Sequence, residues 1–180
     1  MAILNIRQLG DEILTKKCKP IRLITPRIRE LAEDMLDTMY EAGGVGLAAP
    51  QVGILKRIVV IDTTPDTDPD EAAEDTEPVE SEKFVMINPE ILETDGEQTG
   101  YEGCLSYTGM CGVVTRPNKV RVAYTDLDGE RYELTAEGFL ARAVCHELDH
   151  LDGVMYTSKV TGTVMTNEEA AKLREEAEEQ

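Results

Sequence analysis

The only two histidines of the chain, His146 and His150, stand four residues apart, and Glu147 directly follows the first of them. On a helix, residues at this spacing project from the same face, so both imidazoles can bind one metal ion. A carboxylate beside the first ligand is placed to move protons at such a site. This H-E-x-x-H pattern therefore predicts a metal-dependent hydrolytic centre with Glu147 as the general base.

The pattern supplies two metal ligands, whereas a catalytic metal usually has three protein ligands and one open position. Because no third histidine exists, the third ligand must be a cysteine or a carboxylate. Cys104 is the first candidate, since its glycine-flanked, irregular segment suits a site. Cys111 is the next candidate, and the many carboxylates remain open alternatives. Cys145 points about 100° away from His146 around the helix, which makes it a poor ligand.

The size and charge of the chain limit the kind of protein that carries this centre. Its 180 residues are enough for one domain with a single core, which we expect to span residues 1–180. A formal net charge of −18 argues against nucleic acid as a direct partner. No run is long enough to span a bilayer, and the N-terminus lacks a signal-peptide pattern. We therefore expect a cytoplasmic protein with no membrane contact.

The elements that must position the motif follow from turn signals and hydrophobic periodicity. Thr25 and Pro26 begin a helix that ends at Gly43-Gly44. Strand-like segments are predicted over 57–62, 84–92, 113–115, 119–124 and 131–134.

The motif helix is predicted to begin after Thr135 as its N-cap, and the apolar residues along it indicate that it is largely buried. An acidic C-terminal helix over 166–180 begins with a capping box formed by Thr166 and Glu169. This order of elements predicts an α+β fold. In it, antiparallel β-sheets pack around the buried HExxH-bearing helix, with a short helix at the C-terminus.

One segment differs sharply from the rest in composition. From Asp66 to Glu82 every charged residue is acidic, and Pro65, Pro69 and Pro78 interrupt regular structure in and directly before this stretch. We interpret 66–82 as an acidic, mobile loop between two strands rather than as a domain boundary. A calcium site is the alternative, but the spacing of these carboxylates matches no EF-hand loop.

Three segments of the chain resemble the three motifs of the peptide deformylases, in the same order and at similar spacing. The segments are Gly44-Val45-Gly46-Leu47-Ala48-Ala49-Pro50-Gln51, Glu102-Gly103-Cys104-Leu105-Ser106 and His146-Glu147-Leu148-Asp149-His150. The similarity extends through nearly the whole chain. Each motif alone is a weak signal, whereas the three together are very specific.

The resemblance implies an enzyme that removes the formyl group from the N-terminal formylmethionine of newly synthesised proteins and releases formate. Carried over by position, it implies Cys104, His146 and His150 as the metal ligands. It also implies Fe(II) as the metal, with zinc, nickel or cobalt able to occupy the same site. The implied partners are N-formylmethionyl nascent peptides. Ribosome contact would be transient at most, because the acidic tail lacks the basic residues that some members carry there.

The resemblance also assigns roles in catalysis and substrate binding. Glu147 would be the general base and acid. Gln51 would hydrogen-bond the developing oxyanion from its side chain, and Leu105 from its backbone N–H. The implied substrate-binding residues are Gly44, Val45, Gly46 and Gly103.

The chain departs from the family pattern after the second motif. Thr108 stands where many members have proline, and Cys111 stands where some have arginine. These departures leave open how the downstream part of the substrate is held, but they do not affect the chemistry.

Three other functions remain as alternatives. A zincin-like peptidase would need a third histidine or a glutamate as ligand. A protein that captures nascent N-termini without turnover would not need Glu147. A structural zinc site would close the metal with four protein ligands.

Overall fold

A computed structural model of the protein describes residues 2–64 and 82–179, so the predicted acidic loop 66–82 lies outside the described residues except for Glu82. The α-helices of the described ranges are Pro26–Glu41 (α1), Gly138–Leu151 (α2) and Asn167–Glu178 (α3). The strands are Gly46–Ala48 (β1), Ile58–Asp62 (β2), Lys83–Asp95 (β3), Gln98–Cys104 (β4), Tyr107–Arg116 (β5), Lys119–Thr125 (β6), Arg131–Glu137 (β7) and Val160–Thr166 (β8).

The strands form two antiparallel sheets. The larger sheet has the order β1-β2-β3-β6-β7, and the smaller has the order β4-β5-β8. All strand pairs within them are antiparallel. With three α-helices beside two antiparallel sheets, the prediction of an α+β fold with antiparallel sheets is confirmed.

Helix α1 begins and ends where the sequence predicts. The Thr25 side chain accepts a hydrogen bond from the Ile28 backbone N–H, and Pro26 occupies the first helical position. The buried face of the helix packs against β1, β2 and β3. Its buried residues are Ile28, Leu31, Ala32, Met35, Thr38 and Met39. Because such burial removes apolar surface from water, α1 fixes one side of the larger sheet.

Helix α2 packs against the same sheet, but it begins later than predicted. Strand β7 pairs with β6 as far as Glu137, and within it Thr135 faces Arg121. The helix can therefore begin only at Gly138, and Thr135 does not cap it. Its apolar residues join a core cluster with β2, β3 and β6 that includes Val144, Leu148 and Leu151.

The segment around Cys104 is more regular than the sequence suggests. Glycines reduce intrinsic strand propensity, which led to the prediction of an irregular segment. Instead, residues 98–104 form β4, which pairs with β5 along nearly its whole length. The prediction of irregular structure here is wrong, because pairing with a neighbouring strand overrides local propensity. Cys104 is the last residue of β4, so a paired strand positions it.

The C-terminal part of the chain adds a strand and a helix to the smaller sheet. Strand β8, which the sequence did not indicate, pairs with β5. Helix α3 follows it directly, and the predicted capping box of Thr166 and Glu169 is present. Across residues 2–64 and 82–179, no helix has the length and apolar character needed to cross a membrane.

Candidate metal centre

Three side chains converge where the end of β4 meets α2. His146 and His150 lie one turn apart on α2, and their Nε2 atoms are 3.2 Å apart. The Sγ atom of Cys104 is 3.3 Å from Nε2 of His150. The three donor atoms all lie within 4.8 Å of one another, and in the described part of the chain no further His, Cys, Asp or Glu joins this group.

This arrangement fits a bound metal ion. Two nitrogens held by one tetrahedral ion lie about 3.4 Å apart, and a nitrogen and a thiolate sulfur about 3.6 Å apart, given bond lengths of about 2.1 and 2.3 Å. The observed separations of 3.2 and 3.3 Å are close to these values. Burial also lowers the pKa of His150 well below its usual value, which favours the neutral imidazole that binds metals. Three ligands with an open fourth position are typical of a catalytic site.

The orientation of His146 is fixed by a buried carboxylate. Its Nδ1 lies 2.9 Å from Oε2 of Glu102. A hydrogen on Nδ1 that donates to this carboxylate leaves the lone pair of Nε2 directed at Cys104 and His150. Glu102 therefore holds His146 with its Nε2 directed at the other two donor atoms.

Glu102 is in turn held by two arginines. Arg116 donates from Nε at 3.1 Å and from Nη2 at 2.6 Å, and Arg142 donates from Nη1 at 3.1 Å. Although burial alone would raise the pKa of Glu102, hydrogen bonds from His146 and Arg116 lower it to about 2. The carboxylate is thus ionised at any pH at which the protein is expected to work.

The network continues towards the surface through Asp149, the fourth residue of the HELDH motif. Arg116 donates from Nη1 to Asp149 at 2.6 Å, and Lys159 lies 3.0 Å from the same carboxylate. Sequence reasoning did not give Glu102, Arg116, Arg142 or Asp149 a role. Arginines inside otherwise apolar segments, such as Arg142 between Ala141 and Ala143, are the signal that could have identified this network.

Removal of the Glu102 carboxylate is expected to destabilise the protein strongly. Glu102→Ala leaves two buried guanidinium groups short of a partner, which typically costs about 3–5 kcal/mol in free energy of unfolding. Urea denaturation of the metal-free protein measures this cost. The control is Glu133→Ala, which removes an exposed partner of Arg121 and should change stability by less than about 1 kcal/mol. Equal effects of the two variants would contradict the importance of the buried cluster.

The same interaction predicts how stability depends on pH. The pKa of Glu102 is lower in the folded protein than its ordinary value of 4.5. Its contribution to stability is therefore complete above pH 4.5 and is lost as the pH falls towards 2. In Glu102→Ala, this loss of stability between pH 4.5 and 2 should be absent.

Glu147 lies beside the converging ligands but does not belong to them. It is buried, and its Oε2 has no hydrogen-bond partner among the described residues. Burial raises the pKa of this carboxyl to about 7. Gly46 of β1 approaches so closely that a Cβ there would lie 2.6 Å from Oε1 of Glu147. A larger residue at position 46 would displace the carboxylate, which explains the glycine.

Gln51 is oriented by the backbone that precedes it. Its Oε1 accepts a hydrogen bond from the Ala48 N–H at 2.9 Å. The amide nitrogen must then point the other way, where it lies 3.0 Å from Oγ of Ser106 and 3.4 Å from Sγ of Cys104. The Gln51 side chain thus presents its N–H donors beside Cys104 and Ser106.

Leu105 occupies the two-residue turn between β4 and β5. Its carbonyl accepts a hydrogen bond from the Gln8 side chain at 3.0 Å, which ties the turn to the N-terminal segment. Its side chain packs so tightly on Gly44 that a Cβ there would meet Cδ1 of Leu105 at 2.6 Å. The turn that carries the Leu105 N–H is therefore held from two sides.

A cavity of about 530 Å³ lies beside these groups, a volume typical of ligand-binding clefts. Cys104, His146 and Glu147 line it, and so do all the residues predicted to bind substrate, which are Gly44, Val45, Gly46 and Gly103. The cavity is also lined by α3, to which the sequence assigned no part in the site. The structure therefore brings the three sequence motifs together around one space.

Comparison with known proteins relates the whole chain to one family. The family model described as "Polypeptide deformylase" matches residues 3–165. The peptide deformylase of Lachnoclostridium phytofermentans is 54% identical over 179 residues, which cover 99% of this chain and 100% of that protein. The peptide deformylase of Agathobacter rectalis is 54% identical over 164 residues, covering 91% of this chain and 94% of that protein.

Solved structures agree with the sequence comparisons. A crystal structure of a peptide deformylase from Legionella pneumophila superimposes with a TM-score of 0.78 at 40% identity, covering 89% of this chain and 87% of that chain. One from Synechococcus elongatus, solved in complex with actinonin, has a TM-score of 0.79 at 40% identity. It covers 90% of this chain and 83% of that chain.

Proposed function

Because the chain belongs to the polypeptide deformylase family, we propose that it removes the N-formyl group from the N-terminal formylmethionine of newly synthesised proteins and releases formate. The enzyme is a metal-dependent hydrolase that acts on a linear amide. The observation that carries this proposal is the convergence of Cys104, His146 and His150 beside a buried carboxylate of raised pKa, Glu147. Cys104, His146 and Glu147 line a cavity large enough for the end of a peptide.

We propose that Cys104, His146 and His150 hold Fe(II), and that zinc, nickel or cobalt can take its place. One thiolate and two imidazoles suit any of these ions. When bound, such an ion supplies Lewis acidity, which lowers the pKa of water and polarises a carbonyl oxygen. The cation would also favour the ionised form of the adjacent Glu147.

Glu147 moves protons in the proposed reaction. Its carboxylate takes a proton from the attacking water and later delivers one to the departing amine. A pKa near neutrality suits both steps, and the absence of a partner for Oε2 among the described residues leaves an oxygen available. The lack of a side chain at Gly46 leaves room for the carboxylate at the cavity wall.

Gln51 and the backbone N–H of Leu105 stabilise the oxyanion that develops on the formyl oxygen. Donors fixed before the reaction contribute most, because they need not reorganise as charge appears. The Gln51 amide is fixed through Ala48, and the turn carrying Leu105 is fixed through Gln8 and Gly44. The two donors approach from different elements, so together they define where the formyl oxygen lies.

The substrate backbone is proposed to dock as an added strand. β1 lies at the edge of the larger sheet, and the residues just before it line the cavity. Main-chain hydrogen bonds to such an edge bind any peptide sequence, while a side pocket selects methionine. The glycines at positions 44, 46 and 103 keep this approach open.

Formate release from formyl-Met-Ala-Ser tests the function, with metal content measured on the same anaerobic preparation. We expect turnover in proportion to bound metal and no cleavage of internal amide bonds. Cleavage of an internal amide would instead indicate a peptidase, and binding without turnover would indicate a capture protein. Coordination by four protein ligands would indicate a structural zinc site.

The domain and partner assignments follow from the same function. We propose that residues 1–180 form one catalytic domain organised around α2, which packs against the larger sheet and carries two of the three ligands. A single cooperative unfolding transition is the expected result.

We also propose a cytoplasmic enzyme that makes at most transient contact with ribosomes and no direct contact with nucleic acid or membrane. Its net charge of −18 supports this, because RNA phosphates and anionic lipids would repel it. Tight co-sedimentation with ribosomes at low salt would contradict it.

A further inference from the structure

Helix α3 forms one wall of the catalytic cavity. The residues that line the cavity lie on one face of the helix, and they are Asn167, Ala170, Ala171 and Arg174. Ala170 is buried, and the helix packs against β5, so this face is fixed against the protein. The cavity therefore extends beyond the metal ligands to a surface built by the C-terminal helix.

Arg174 presents a cation at this end of the cavity. Its guanidinium lies over the ring of Tyr101, 4.4 Å from the ring centroid, in a cation–π contact. The residue is exposed, and no carboxylate of the described ranges lies within 4.0 Å of its charged nitrogens. The stacked ring orients the guanidinium and leaves its N–H donors available.

The other cavity-lining arginine lacks this capacity. Arg142 is buried and donates to Glu102 and to the carbonyl of Val114. Its positive charge is paired with the Glu102 carboxylate inside the protein. Arg174 is thus the arginine of the cavity wall that can bind an incoming anion.

The position of Arg174 corresponds to a defined place along an extended peptide. Tyr101 precedes Cys104 by three residues on β4, a distance of about 10 Å along a strand. An extended peptide advances about 3.3–3.6 Å per residue. β4 is an edge strand of the smaller sheet, and its residues 101–104 line the same cavity as Gly44 to Gly46. A peptide docked at the edge of β1 can therefore also run along β4 from Cys104 towards Tyr101. The third residue of a peptide whose formyl group lies at Cys104 then reaches Arg174.

We propose that Arg174 is a specificity-determining residue that favours formylated peptides with an acidic side chain at the third position. The proposal rests on the proposed function, since it assigns a subsite of the same cavity. A guanidinium group matches a carboxylate in shape as well as in charge. A protein of net charge −18 otherwise repels acidic peptides, so a cation at the binding site offsets this repulsion locally.

The test compares kcat/KM for two peptides, formyl-Met-Ala-Asp and formyl-Met-Ala-Lys, both amidated at the C-terminus. Amidation ensures that the only carboxylate is the side chain. Arg174→Gln is expected to lower the Asp-to-Lys ratio about fivefold, the upper range for an exposed ion pair. Arg174→Glu should lower the ratio further, and Arg174→Lys should retain most of it. Raised salt should reduce the wild-type ratio.

Lys172→Gln is the matched control. It makes the same charge change two residues away on the same helix, but Lys172 does not line the cavity. The ratio should stay at the wild-type value in this variant. An unchanged ratio in Arg174→Gln, an equal fall in Lys172→Gln, or an equal slowing of both peptides would overturn the proposal. Absence of formate release from both peptides by the wild-type protein would instead contradict the proposed function itself.

Discussion

Glu147→Gln is expected to retain the metal and to lose nearly all turnover, with kcat reduced by about 10² to 10⁴-fold. The amide has the shape of the carboxylate but cannot accept a proton from water. Glu147 does not belong to the group of Cys104, His146 and His150 that could hold the metal, so its exchange should leave the ligands in place. Formate release and metal content, measured on one preparation, check both parts of the prediction.

Two further measurements make the result specific to Glu147. Glu176→Gln makes the same chemical change on the exposed surface of α3 and should keep wild-type kcat. The thermal midpoint of Glu147→Gln should not fall, because an amide avoids the cost of burying a charge. A Glu147→Gln variant with half of the wild-type activity would rule out the assigned role, and a parallel loss of metal would make Glu147 a ligand instead.

The parts of the site that sequence could predict are those set by local geometry. His146 and His150 face the same way because four residues make about one helical turn. The ends of α1 could be predicted because Thr25, Pro26 and the following glycines act within a few residues of where they stand. The resemblance to a known family then added Gln51 and Leu105, which spacing alone does not connect with the histidines.

The cluster around Glu102 could not be predicted in this way. Glu102 and Arg116 are brought together by the pairing of β4 with β5, and Arg142 reaches them from α2. Nothing in the spacing of 102, 116 and 142 indicates which strands pair or which helix crosses them. Pairing between distant strands is a property of the whole fold. For the same reason β8, which forms by pairing with β5, could not be predicted from its local sequence.

The start of α2 and the place of α3 show two ways in which local signals mislead. Thr135 has the chemistry of an N-cap, but cross-strand hydrogen bonds keep it in β7. The acidic composition of α3 does not indicate that one of its faces packs on the protein. Its few small residues nevertheless suffice to pack one face on the smaller sheet, with Ala170 buried. Composition averages over the helix, whereas packing depends on one face.

Cys104→Ser is expected to weaken metal binding by more than about 100-fold. Removing a residue that hydrogen-bonds to a metal ligand already lowers metal affinity by about 10- to 100-fold. In Cys104→Ser the ligand itself changes, so the loss of affinity should be larger. At neutral pH a serine hydroxyl is a poor ligand where a thiolate is a good one. The metal content after dialysis and the affinity from chelator competition both measure the effect.

Cys18→Ser and Cys145→Ser are the matched controls, because the chemical change is the same at buried cysteines outside the ligand group. Burial raises the pKa of both thiols to about 11, so neither supplies a thiolate at neutral pH. Both variants should keep the wild-type metal content, even if the exchange of a buried sulfur costs some stability. Equal metal content in all three variants would place the third ligand elsewhere. Cys111, the second candidate from the sequence, does not join the converging group, so a carboxylate would then have to move into the site.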